Sequence, residues 1–97
     1  MGIIHYEDNF DELIKTKAVV DFYATWCGPC KMFGPVFEEV SGEIDINFVK
    51  IDVDNYAEVA RKYGVMSIPT IILFEDGKEI KRYTGFMSKD EFIGFLK

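Results

Sequence analysis

The chain has 97 residues, 48% hydrophobic and 15% aromatic, enough for one hydrophobic core and too few for two. Its 17 acidic and 11 basic side chains leave a net charge of −6 with no basic stripe to neutralise a phosphate backbone, so nucleic acid is not an expected partner. Met1-Gly2 leads into Ile3-Ile4 without a charged leader or cleavage site, and no apolar run nears the roughly 20 residues of a membrane-spanning helix, so one cytoplasmic domain over 1–97 with no membrane partner is expected.

Ile3 to Tyr6 is a short, weak first strand. Asn9 followed by Glu12 reads as a capping pair opening a helix whose Phe10, Leu13 and Ile14 share one face. Ala18 to Ala24 follows as a strand that is apolar on both faces, as in a parallel strand covered by helices, with Asp21 as its exception. From Cys27 to about Glu43 the positions Phe33, Val36, Phe37, Val40 and Ile44 keep a helical stripe, and Pro35 is expected to kink this helix without ending it.

Asn47 to Asp52 reads as a second buried strand. Asn55 with Glu58 is expected to cap a helix carrying Tyr56, Val59, Ala60 and Tyr63, which Gly64 stops. Thr70 to Phe74 and Glu79 to Thr84 flank Glu75-Asp76-Gly77-Lys78, and the Asp-Gly pair signals an antiparallel hairpin. Ser88 with Glu91 opens the last helix, with Phe92, Phe95 and Leu96 facing inward. This order predicts an α/β fold: a central mixed sheet of five strands flanked by four helices.

The two cysteines lie three positions apart in Trp26-Cys27-Gly28-Pro29-Cys30, where a buried strand gives way to a helix. A disulfide across so short a loop would do little to stabilise the fold, about 2 kcal/mol at most, so reactivity explains the pair better than stapling does. A zinc site needs more ligands than these two cysteines, and His5 is the only histidine, so neither a metal nor a cofactor is expected. Unpaired amides and the positive dipole end of the helix favour a thiolate on Cys27, the expected nucleophile. Cys30, one turn later on the same face, is placed to resolve the mixed disulfide. Gly28 permits the tight turn and Pro29 sits in the first helical turn, where its missing N–H costs nothing.

Asp21 is a further candidate, because burial raises the pKa of an acid unless a cation compensates. Lys50 on the neighbouring strand is the expected cation, and burial should prevail if Lys50 is only partly buried. A base near Cys30 could take its proton before it attacks the mixed disulfide. The other polar or soft residues are expected to have no part in the chemistry: His5 is solvated or at a strand edge, Glu38, Glu39 and Glu43 form a solvated helix face, and Met32, Met66 and Met87 fill gaps.

Over essentially its whole length the chain resembles the thioredoxin family, through Asp21-Phe22-Tyr23-Ala24, Trp26 to Cys30 with Lys31, Pro35, Lys50 before Ile51-Asp52, Ile68-Pro69-Thr70, Gly77 and Gly85. Tyr23 stands where many members carry Trp, and Met66-Ser67 where Arg and Gly are frequent; both departures bear on packing and substrate preference. The resemblance implies a thioredoxin-like fold and a monomeric protein disulfide reductase that acts on protein disulfides and is re-reduced by a thioredoxin reductase. It implies that Asp21 is the buried acid beneath the resolving cysteine. It also implies a flat substrate-binding patch of Trp26, Gly28, Pro29, Ile68, Pro69, Gly85 and Phe86, with the Ile68-Pro69 bond cis and facing the cysteines. A disulfide oxidase or isomerase of the same fold, or a docking module that does no thiol chemistry, are the competing readings.

Overall fold

The computed structural model describes residues 2–97, in the order β1 (Ile3–His5), α1 (Phe10–Leu13), β2 (Ala18–Tyr23), α2 (Gly28–Ser41), β3 (Asn47–Asp52), α3 (Ala57–Lys62), β4 (Thr70–Glu75), β5 (Lys78–Thr84) and α4 (Lys89–Phe95). The strands form one sheet in the order β1-β3-β2-β4-β5. β1 and β2 both run parallel to β3, while β4 is antiparallel to β2 and to β5. This is the mixed five-stranded sheet with four helices that the order of elements predicts.

Side-chain alternation on the central strands divides the core in two. On one face Val20 and Phe22 of β2 and Val49 and Ile51 of β3 pack with Phe10, Ile14 and Ala60 from the segments of α1 and α3. On the other, Val19 of β2 and Phe48 of β3 meet Phe33, Phe37 and Val40 of α2 and Phe92 of α4. Phe37 and Phe92 stack with ring centroids 5.6 Å apart, and Phe48 meets Phe37 edge-on at 5.3 Å. Continuing the alternation puts Asp21, Tyr23, Lys50 and Asp52 on the α2 side, beyond the end of that apolar cluster. The parallel register pairs Asp21 with Lys50 and Tyr23 with Asp52.

Helix α2 runs uninterrupted through Pro35, which has no amide to give the Lys31 carbonyl. The β4–β5 turn is tighter than the four-residue stretch expected. Only Asp76 (φ 55°) and Gly77 (φ 81°) lie between the strands, both left-handed as a type I′ hairpin requires. Ser88 and Glu91 form a reciprocal capping box on α4. At the end of α3, Gly64 adopts φ 65°, with its amide bonded to the Arg61 carbonyl and the Val65 amide to the Ala60 carbonyl, the paired bonds of a Schellman stop.

Two capping expectations fail. Asn9 precedes α1 in a left-handed conformation and its side chain caps nothing; its carbonyl accepts the Glu12 and Leu13 amides instead. Asn55 does not cap α3 either, because Tyr56 occupies that place and the Asn55 amide group reaches back to the Asp52 carboxylate at 3.4 Å. Met87 fills a gap in the core as expected, whereas Met32 and Met66 are exposed. Phe95 is only partly buried, against the α2–α4 cluster.

Candidate active site

Cys27 is the N-cap of α2, with extended backbone, and its Sγ accepts the Cys30 amide at 3.2 Å. One amide of the helix N-terminus therefore points at this sulfur, where a negative charge would be stabilised. Cys27 and Cys30 are joined in a disulfide, with Cα atoms 5.2 Å apart. Their exposures, 5% and 4%, do not distinguish them; position on the helix does. Gly28 and Pro29 are exposed in the first turn, beside the pair.

The residues expected to surround the cysteines fall into two groups. Trp26 is 68% exposed, contrary to the usual burial of Trp, and its indole Nε1 donates to Asp54 Oδ2 at 2.8 Å. Phe86 is also exposed and Gly85 half-buried at φ 113°. Ile68 packs against the cysteine cluster, and the Ile68-Pro69 bond is cis. Pro69 itself is buried, so it backs the surface and adds little area to it. Asp54, which fixes the indole, carries no sequence signal: it is 28 positions from Trp26. Met66, two positions before Ile68, is 94% exposed.

Behind the cysteines a hollow of about 230 Å³ is lined by Tyr23, Ala24, Thr25, Cys30, Lys31, Gly34 and Lys50. Lys50 Nζ lies 3.8 Å from Asp21 Oδ2, a charge contact too long for a hydrogen bond. Asp21 is fully buried, and neither carboxylate oxygen has a hydrogen-bond partner among the described residues. Burial raises its pKa to about 7, and the Lys50 ammonium opposes the rise without cancelling it. Among the described residues no three His, Cys, Asp or Glu side chains gather as a metal site, and no helix is long and apolar enough to cross a membrane.

The thioredoxin family model matches residues 2–97. The chain is similar to a thioredoxin of Mycoplasmoides gallisepticum, 51% identical over 90 residues covering 90% of each chain. A thioredoxin of Staphylococcus haemolyticus is 48% identical over 100 residues, covering 99% of this chain and 96% of that one. Among solved structures, a Schistosoma mansoni thioredoxin superposes with a TM-score of 0.87 at 38% identity, covering 98% and 93% of the two chains. The Nicotiana alata thioredoxin NaTrxh gives 0.85 at 40%, covering 97% and 89%. The oxidase, isomerase and docking readings are not favoured by these relatives. With its cysteine pair at the head of α2, the chain belongs to the thioredoxin family and is a thiol–disulfide oxidoreductase that reduces protein disulfides.

Proposed function

We propose that Cys27 is the attacking thiol, Cys30 the resolving thiol, and Asp21 with Lys50 the group that manages the Cys30 proton. The Cys27 thiolate attacks one sulfur of a substrate disulfide, forming a mixed disulfide and releasing the other substrate sulfur as a thiolate. Cys30 gives up its proton and attacks Cys27 Sγ, which closes the internal disulfide and releases the second substrate sulfur. Two electrons pass to the substrate, its two released sulfurs take up the proton from Cys30 and one from solvent, and a thioredoxin reductase restores the dithiol. Trp26, Gly28, Pro29, Ile68, Gly85 and Phe86 receive the substrate chain, with Pro69 supporting Ile68 from below.

The observation that carries this reading is the Cys30 amide directed at Cys27 Sγ, which favours the thiolate on Cys27. Asp21, with a pKa near 7, can exchange a proton at neutral pH. The hollow that joins Cys30 to Lys50, whose ammonium stands 3.8 Å from the Asp21 carboxylate, is large enough for water. The chain works as a one-domain monomer in the cytoplasm, the kind of compartment in which reductants keep protein thiols free.

Limited iodoacetamide treatment of the reduced protein at neutral pH, followed by peptide mapping, tests the order of attack. Cys27 should carry most of the label, and labelling mainly at Cys30 would reverse the assignment. The Cys30→Ser variant should hold substrates and the reductase as mixed disulfides through Cys27.

A further inference from the structure

Lys50 has a third neighbour besides Asp21 and the hollow: its Nζ stands 4.3 Å from the centroid of the Tyr23 ring. Tyr23 follows Asp21 by two positions on β2, so both side chains leave the strand on the α2 side, where Lys50 arrives from β3. The backbone of α2 also closes in at Gly34, where a Cβ would come within 3.7 Å of Lys50 Nζ. The ammonium is thus held between an aromatic face, a buried carboxylate and a helix that approaches closely, with only 15% of the Lys50 side chain exposed.

We propose that Tyr23 is a positioning residue for the reaction: its ring face keeps the Lys50 ammonium beside Asp21 and so sets the pH at which the resolving step turns on. The proposal rests on the proton-transfer role given above to Asp21 and Lys50. A ring quadrupole attracts an ammonium at this distance most strongly where water is scarce, and little of the Lys50 side chain meets solvent. Without the ring, the flexible lysine stem is free to swing toward solvent, and the carboxylate loses the nearby charge that favours its ionised form.

The other charged and titratable groups around this cluster are few. Asp52 lies opposite Tyr23 on β3, Cys30 and Lys31 line the hollow from α2, and Glu38 of α2 and His5 of β1 border the groove on the far side of Lys50. β4 brings only Ile71 opposite Asp21. None of these replaces the ring as a restraint on the ammonium.

The test compares Tyr23→Leu, Tyr23→Phe and Tyr23→Trp in the full chain. It follows the Asp21 carboxyl by carbon NMR as pH is raised, and the rate of mixed-disulfide release in single turnovers across the same range. Tyr23→Leu should raise both midpoints by about half a pH unit or more. Tyr23→Phe keeps the ring and should leave both in place, while Tyr23→Trp, with the stronger quadrupole, should lower them. A merely structural role would change the urea midpoint and leave the pH midpoints alone. If Tyr23→Leu fails to fold, the Phe and Trp variants still decide, since equal midpoints in those two overturn the proposal. A release step whose pH dependence survives in Asp21→Asn overturns instead the reading on which the proposal rests.

Discussion

Replacing Asp21 with asparagine removes an ionisable group from a fully buried site and keeps its shape, so the stability of the variant should diverge from wild type in a pH-dependent way. The folded protein holds the Asp21 proton up to about pH 7, against 3.8 for an ordinary aspartate. Between these values the native state binds one more proton than the unfolded state, so wild-type stability falls as pH rises. The contribution of the protonated acid is fully present below pH 3.8 and lost by the time pH passes about 7. Each pH unit is worth about 1.4 kcal/mol, so the loss across the window is about 4 kcal/mol. Asparagine resembles the protonated acid, and the attraction of Lys50 is already contained in the value of about 7. The two proteins should therefore be similar near pH 4, and Asp21→Asn more stable by about 4 kcal/mol at pH 8.5, a large part of the usual 5–15 kcal/mol for a domain. Urea unfolding of both oxidised proteins at four pH values checks this. A stability difference that stays flat from pH 4 to 8.5 would show that burial does not hold the carboxyl neutral, and the proton-transfer role would lose its basis.

Other elements of the fold make independent predictions. Phe37→Ala empties the centre of the ring cluster that Phe37 forms with Phe33, Phe48 and Phe92 and should cost about 3–5 kcal/mol in urea; a cost under 1 kcal/mol, well short of that ~3–5 range, would mean the cluster collapses onto the space. Ser88→Ala breaks the capping box of α4 and should cost about 1 kcal/mol, with faster amide exchange at Glu91 as the local signature. Gly64→Ala forces a Cβ into a left-handed position and should cost about 1–2 kcal/mol; an unchanged urea midpoint would contradict the Schellman stop. Asp54→Ala releases the only indole in the chain, so Trp26 fluorescence anisotropy should fall while stability moves by less than about 0.5 kcal/mol.

Strands β2 and β3 and helices α2 and α4 were legible because each states its structure twice, in apolar periodicity and in its boundary residues. The Cys27 to Ile44 stripe and the Ser88–Glu91 box are examples. Helices α1 and α3 span four and six residues, too short for periodicity to locate an end, and the Asx-x-x-Glu pattern then finds the cap position of α1 without its side-chain bond and misses that of α3 by one residue. At Asn9 a left-handed backbone turns the side chain away from its task, and at Asn55 the nearby Asp52 captures it. Asp21 and Lys50 were readable as a pair because a carboxylate in an apolar strand demands a cation and the next parallel strand offers one. The Asp54–Trp26 bond, the exposure of Met66 and the approach of Gly34 to Lys50 depend on how segments dock, and docking has no local signature.

The site must meet two opposite electrostatic demands within a few residues. In the proposed mechanism Cys27 has to ionise easily in order to attack, so it needs positive potential; Asp21 has to stay a proton-exchanging group near neutral pH, so it must not be too well compensated. One strand–helix junction meets both. The end of β2 delivers Cys27 to the amides of α2, and two residues before the same strand end Asp21 lies under the helix, out of reach of hydrogen-bond donors. A lysine in direct hydrogen-bonded contact would bring the Asp21 pKa back toward the ordinary carboxylate value and leave no base titrating near pH 7. At 3.8 Å, and kept there by the Tyr23 ring in the arrangement proposed above, Lys50 lowers the cost of the charge without removing it. In the proposed mechanism the looseness of this ion pair is therefore what keeps Asp21 able to give and take a proton while the cysteines exchange sulfur.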